Sequence, residues 1–189
     1  MDETITFSLG CFWSPDAQFG CVMGVTRTRV GYTSINNESF SADRIECIQI
    51  DYNTSVVTFK NLLDRFWKWH DPTVQQLNPS YISAIYYHNC IQNHEAKESL
   101  VEQQKEFLLK PILTKILPII NFDLAEDYHQ KHYLKRHITL FPGNISTHVA
   151  TRLNGYLAGY GTREQFEDEK ERMGLNRKQI NFIRKQLEN

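Results

Sequence analysis

Cysteine is scarce in this chain and irregularly placed. Cys11, Cys21, Cys47 and Cys90 are the only four in 189 residues, and their spacing fits neither a disulfide framework nor a zinc ribbon. A reducing compartment, the cytosol, is therefore the expected setting. No window holds the long apolar run of a membrane span, and Met1-Asp2-Glu3 does not read as a signal peptide. Charge of one sign is also lacking. A net charge of −1 and a pI near 6.7 give nucleic acid or anionic lipid nothing to hold, so neither is expected as a partner. What remains, 41% apolar and 23% charged residues over this length, is the composition of one soluble globular domain with a proper core.

Against that background one stretch stands out, Gly10-Cys11-Phe12-Trp13. Before it, Ile5, Phe7 and Leu9 alternate with Thr4, Thr6 and Ser8, the period of a strand with one buried face. After it, Ser14-Pro15-Asp16 is helix-start chemistry, with proline in the first turn where backbone N–H groups lack partners. Cys11 thus falls where a strand becomes a helix, near unpaired donors that favour a nucleophilic thiolate. Two large aromatics after it build an apolar wall beside the sulfur. On residue type alone, a buried structural cysteine among core aromatics is the commoner arrangement.

The rest of the chain supplies the frame. A helix is expected over 15–22, a strand over 26–33, a loop over 34–43 and a second strand over 44–52. On that second strand Glu46 shares a face with Ile48, Ile50 and Tyr52, so its carboxyl is either unfavourable or has a raised pKa and a task. Residues 58–70 form the clearest helix, with Phe59, Leu62, Leu63, Phe66 and Trp67 on one stripe. A strand follows over 81–88, a helix over 94–109, and a strand over 115–122 that Pro118 confines to an edge or a break. Strand–helix–strand given twice is the split βαβ order of an α+β, ferredoxin-like sandwich. Three charged helical stretches, 146–158, 163–173 and 176–187, make a C-terminal extension. The expected division is a domain over 1–140 with a helical extension over 141–189 packed on it.

The blocks Gly10–Trp13, Val30-Gly31-Tyr32, Arg44-Ile45-Glu46, Ile50-Asp51-Tyr52, Leu62–Asp71, Tyr81–Tyr86 and Ala125–Gln130 occur in an order that resembles peptide methionine sulfoxide reductase A. The tail from Val149 to Met173 is similar to the extension of insect-type members. The resemblance implies a thiol-dependent reductase that repairs oxidised proteins under oxidative stress. It would act on the S epimer of methionine sulfoxide, free or in proteins, leaving a cysteine sulfenic acid. It implies Cys11 as nucleophile, Glu46 as carboxylic acid donor, Tyr32 and Tyr81 as phenols on the departing oxygen, and Phe12 and Trp13 as the methyl pocket. It implies no metal, nucleotide or flavin, electrons from thioredoxin or another external dithiol, and a monomer.

Each residue also has a plainer reading. Tyr32 and Tyr81 taken alone are core tyrosines with satisfied hydroxyls, and Glu46 a strand-edge carboxylate. His129, His132 and His137 lack accompanying ligands at metal spacing and read as solvated or structural polar residues. Several positions depart from the family pattern: Ser14 stands for a glycine, Arg44 for a histidine, Gln76 for an aspartate, and His132 for a tyrosine. These sustain a rival reading, a module that binds methionine sulfoxide without turning it over. A cysteine hydrolase is a second rival and needs a histidine base beside Cys11. No cysteine follows Cys90, so a one-cysteine cycle is expected, with Cys90 the only open candidate for a resolving thiol.

Overall fold

A computed structural model describes residues 1–35 and 44–188. One six-stranded sheet runs in the order β5-β4-β1-β3-β2-β6. Its strands are β1 (Asp2–Leu9), β2 (Val25–Thr33), β3 (Ile45–Asn53), β4 (Ser83–Tyr87), β5 (Lys115–Pro118) and β6 (Asp123–Leu124). The middle four, β4-β1-β3-β2, are antiparallel neighbours, with helix α1 (Trp13–Gly20) between β1 and β2 and α2 (Phe59–Lys68) between β3 and β4. This is the ferredoxin-like arrangement expected from the order of elements. β5 extends it in parallel beyond β4 after α3 (Cys90–Gln104), and β6 pairs with β2 at the far edge.

The alternation in β1 places Ile5 and Phe7 opposite Ile50 and Ile48, all turned toward the helices. Phe19 of α1 and Phe66 of α2 close on Phe7, with ring centroids 5.4 and 5.0 Å away. Complete burial of each such side chain contributes roughly 1.5–3 kcal/mol. On the opposite face Phe122 and the backbone of Asp123 lie where a side chain at Gly31 would stand. Ile119 and Asn121 bond Tyr87 and Thr33, so residues 119–122 cross that face from one edge to the other.

Several boundaries differ from the sequence reading. α1 begins at Trp13, two residues before the expected 15, because Phe12 already has helical backbone angles. α3 starts at Cys90 rather than 94 because the Asn89 side chain caps it on the Gln92 N–H, and it stops at Gln104 rather than 109. There the Gln104 side chain takes over, bonding Phe107 O, Lys110 O and the Ile112 N–H. β4 excludes Tyr81 and Ile82, since the Tyr81 N–H turns back to Asn78 O. β5 ends at Pro118, which has no N–H for a ladder, and lies at the sheet edge. Most of the loop expected over 34–43 lies outside the described residues. The short α4 (His132–Lys135) and the turn Asp127–His129 carry no periodicity to read.

The C-terminal helices α5 (Thr147–Leu157), α6 (Arg163–Glu169) and α7 (Arg177–Gln186) build a second core around Leu153, Tyr156, Phe166 and Ile183. α5 lies so close on α1 that a Cβ on Gly20 would fall 2.5 Å from Thr151 O. The same atom on Gly155 would overlap the Cys21 sulfur. Arg152, 1% exposed, caps the contact by bonding Gly20 O and Val22 O while paired with Glu169. Beneath α1, Asp16 is fully buried and accepts from Thr28 Oγ1, Lys131 Nζ, the Lys131 N–H and Asn154 Nδ2. That network ties α1, β2, the segment before α4, and α5 together.

Candidate active site

The site forms where β1 stops. Gly10 has a φ of +97°, a turn that a residue with a side chain rarely adopts, and it swings the chain from strand into α1. Cys11 sits in that turn, partly exposed, directly before Phe12, which caps α1. Glu46 comes to the same corner from β3. Its carbonyl accepts from Ser8 Oγ at 2.6 Å, its N–H bonds Ser80 O at 3.0 Å, and its carboxylate Oε2 accepts the Phe12 N–H at 3.1 Å. Burial pushes the Glu46 carboxyl above the ordinary glutamate range, opposed by the Phe12 hydrogen bond and by His129. A carboxyl so held carries a proton at higher pH than a free one, beside the residue that follows the thiol.

Tyr81 approaches from the loop before β4, and its phenol lies near the Cys11 thiol and the Glu46 carboxyl. Burial, then the neighbouring Glu46 and Cys11, push its pKa up, so it is a neutral donor. Tyr32, paired with Glu46 across β2 and β3, packs its ring 5.7 Å from Phe12. Its hydroxyl donates to Glu126 Oε2 at 3.4 Å, and burial raises its pKa as well. The structure therefore gathers all six residues singled out in the sequence at one end of the sheet, with Tyr32 turned to a partner that the sequence did not suggest.

Phe12 is 2% exposed and forms the floor with Val30 and Ala125. Trp13 forms a wall. Its Nε1–H donates to His129 Nδ1 at 3.2 Å, and its ring stacks on His132 with centroids 3.9 Å apart and planes 7° from parallel. Since Nδ1 accepts, a neutral His129 carries its proton on Nε2, which lies 4.0 Å from Glu126. Arg44 covers the Tyr32 ring at 3.8 Å and reaches Glu126 at 3.9 Å. Glu126, His129 and His132 thus belong to the site, whereas the sequence reading left the histidines as solvated or structural. His137 stays outside it, against Phe182. Gln76 is exposed and hydrogen-bonds to nothing among the described residues.

The other cysteines lie apart from Cys11. Cys21 is packed against Gly155, gives its S–H to Tyr160 O, and is pushed by burial up to about 12. Cys47, opposite Gly31, faces the other side of the sheet and is raised well above the usual thiol range by burial. Cys90 is exposed beyond the far end of β4. Ser83 of β4 pairs with Leu9 near the site, and the run from Ser83 to Tyr87 alone covers roughly 13 Å. A disulfide tolerates roughly 4.4–6.8 Å between Cα atoms, so Cys90 cannot reach Cys11 in this fold.

The site thus sets a turn-borne cysteine beside a raised carboxyl and phenols over an aromatic floor, at one end of a split βαβ sheet of an α+β fold. The comparisons identify the family. The family model for peptide methionine sulfoxide reductase matches residues 3–155, and that for the helical domain of selenoprotein methionine sulfoxide reductase A matches 145–188. A peptide methionine sulfoxide reductase of Drosophila melanogaster is 40% identical, over 91% of this chain and 75% of its own length. Among solved structures, reduced Mxr1 from Saccharomyces cerevisiae has a TM-score of 0.63 at 29% identity, covering 77% of this chain and 89% of that one. Methionine sulfoxide reductase A of Corynebacterium diphtheriae gives 0.63 at 27%, covering 77% and 80%. Mxr1 in complex with Trx2 gives 0.55 at 31%, covering 68% and 84%. The chain belongs to the peptide methionine sulfoxide reductase family, oxidoreductases that act on methionine sulfoxide.

Proposed function

We propose that Cys11 is the nucleophile in the reduction of methionine S-sulfoxide, free or in oxidised proteins. The thiolate attacks the sulfoxide sulfur and forms an S–S bond, and Glu46 and Tyr81 protonate the oxygen so that it leaves as water. A water then attacks the Cys11 sulfur, returning one proton to Glu46 as the S–S bond breaks and methionine leaves as the thioether. Cys11 ends as a sulfenic acid, so the thiol is oxidised by two electrons and the sulfoxide reduced by two. Two external thiols then return Cys11 to the thiol, forming their own disulfide and water. A neutral Glu46 is needed because an ionised carboxylate cannot protonate the departing oxygen. Phe12 and Trp13 receive the methyl group. The observation that carries this reading is the Glu46 carboxyl, raised by burial and bonded to the N–H next after Cys11.

Cys21, Cys47 and Cys90 all lie away from Cys11, which favours a one-cysteine cycle and an external dithiol of the thioredoxin type in a reducing compartment. The test reacts reduced protein with excess methionine sulfoxide in the absence of reductant, then applies a sulfenic-acid trap and maps the adduct. The expected product is one trapped sulfenic acid at Cys11 per methionine formed, and Cys11→Ser is expected to abolish both while retaining the fold. Wild-type turnover by Cys11→Ser contradicts the mechanism. Quantitative disulfide formation at Cys11 contradicts the one-cysteine cycle.

A further inference from the structure

Away from the active site, an exposed methionine sulfur meets a buried cation. Met23 lies just past α1 and is 56% exposed, and its Sδ accepts from Arg152 Nη2 at 3.9 Å. Arg152, on α5, joins the sheet to the helical extension. Its Nη1 donates to Gly20 O at 2.8 Å and to Val22 O at 3.2 Å, and its Nε donates to Glu169 Oε2 at 2.8 Å. Nη2 donates to Glu169 Oε1 at 2.7 Å and to the Tyr156 hydroxyl at 2.9 Å. A thioether is a weak acceptor, so the Met23 sulfur takes the smallest share of this guanidinium. Met173, by contrast, is partly buried against the core of the helical extension.

We infer that Met23 is an oxidative modification site whose sulfoxide is received by the Arg152 guanidinium. A peroxide gives one oxygen to the exposed sulfur. The S–O bond forms as the O–O bond breaks, the sulfur loses two electrons, and the rest of the peroxide leaves as water or an alcohol. An S–O bond spans much of the 3.9 Å between sulfur and nitrogen, and the flexible methionine side chain sets the new oxygen at hydrogen-bond distance from Nη2. The oxygen competes with the Tyr156 hydroxyl for one N–H. That hydroxyl is not left unpaired, because it donates to Glu169 Oε2 at 2.9 Å. Oxidising a methionine in an apolar contact loosens the contact. Here the added oxygen meets a cation that already grips the end of α1, so oxidation ties residue 23 to the junction of sheet and extension.

The test treats wild type and Met23→Leu with excess hydrogen peroxide, without reductant, so that no sulfoxide is repaired in turnover. Peptide mass spectrometry maps the methionines, and urea titration follows unfolding before and after treatment. Met23 is expected to be oxidised ahead of Met173. Met23→Leu undergoes every other oxidation, so the difference between the two peroxide-induced shifts isolates the Met23 sulfoxide. A hydrogen bond to a charged group should make that difference a rise in urea midpoint of about 0.5 M for the wild type. Equal shifts in the two proteins, a wild-type midpoint that falls further than that of Met23→Leu, or a Met23 still unmodified once Met173 is oxidised each overturns the inference.

Discussion

Two carboxyls on the helix side of the sheet, Asp16 and Glu46, stand in opposite surroundings. Asp16, beneath α1, is fully buried and meets an ammonium at 2.8 Å, a hydroxyl at 2.6 Å, a backbone N–H and an amide. Glu46, at the sheet end, is only partly buried, and among the described residues its carboxylate receives one backbone N–H and no salt bridge. Burial without a paired cation favours the protonated form of Glu46, whereas Asp16 is joined directly to the Lys131 ammonium. The first carboxyl is tied into the structure, and the second is the one proposed to give up a proton. Residue type is the same in kind, and environment assigns the role.

The largest expected effect falls on the second carboxyl. Glu46→Gln should lower kcat by roughly 10²–10⁴, the usual worth of general acid catalysis, measured as methionine formed per enzyme per second. The fold should not suffer. A carboxyl whose folded pKa is raised binds more protons folded than unfolded, so its contribution to stability is present at low pH. That contribution is lost as pH climbs from the ordinary glutamate value through the raised one. At neutral pH Glu46→Gln should therefore be as stable as the wild type or more so by denaturant titration. A loss of stability there would mean that Glu46 is a structural anion like Asp16.

Asp16→Asn should do the reverse. Breaking one side of a buried pair costs about 3–5 kcal/mol, because the other charge is left uncompensated. Lys131 also sits at a φ of +52°, a conformation held by its N–H and its ammonium both reaching Asp16. Reduction per folded molecule should change less than in Glu46→Gln. Combining Asp16→Asn with Lys131→Met should recover part of the loss, which a role for Asp16 apart from the pair would not permit.

How much of this contrast was legible in the chain? The alternation of Ile5, Phe7 and Leu9 and the stripe Phe59–Trp67 gave the sheet and its covering helix, because short periods encode which face is buried. The same rule put Glu46 beside Ile48 and Ile50, where the structure has it. The partners of these groups were not legible. Trp13 bonds His129 across 116 positions and Asp16 bonds Lys131 across 115, and no local period records such a meeting. His132 on Trp13 and Arg44 on Tyr32 were hidden for the same reason, since each lies outside the regular elements or on α4, which has four residues. The two-residue β6 is shorter than any strand pattern.

Smaller effects sharpen the account at the turn. Gly10→Ala meets no atom within 4 Å, so its cost comes from the backbone alone, about 1–2 kcal/mol at a positive φ. Activity should fall further than that loss of stability explains, since Cys11 rides on this turn. The smallest effect belongs to Cys90→Ser, which should leave single-turnover sulfenic acid yield and dithiol-dependent turnover unchanged.

The contrast between the two carboxyls comes down to whether Glu46 keeps its proton. The direct measurement is a pH titration of side-chain carboxyl 13C resonances in the reduced protein, with Glu46 assigned from Glu46→Gln. The Glu46 midpoint is expected to lie above that of a free glutamate, and the fall in kcat on the alkaline side to follow it. A Glu46 midpoint at or below the free value, with kcat unchanged across it, would contradict the assignment of this carboxyl as the proton donor.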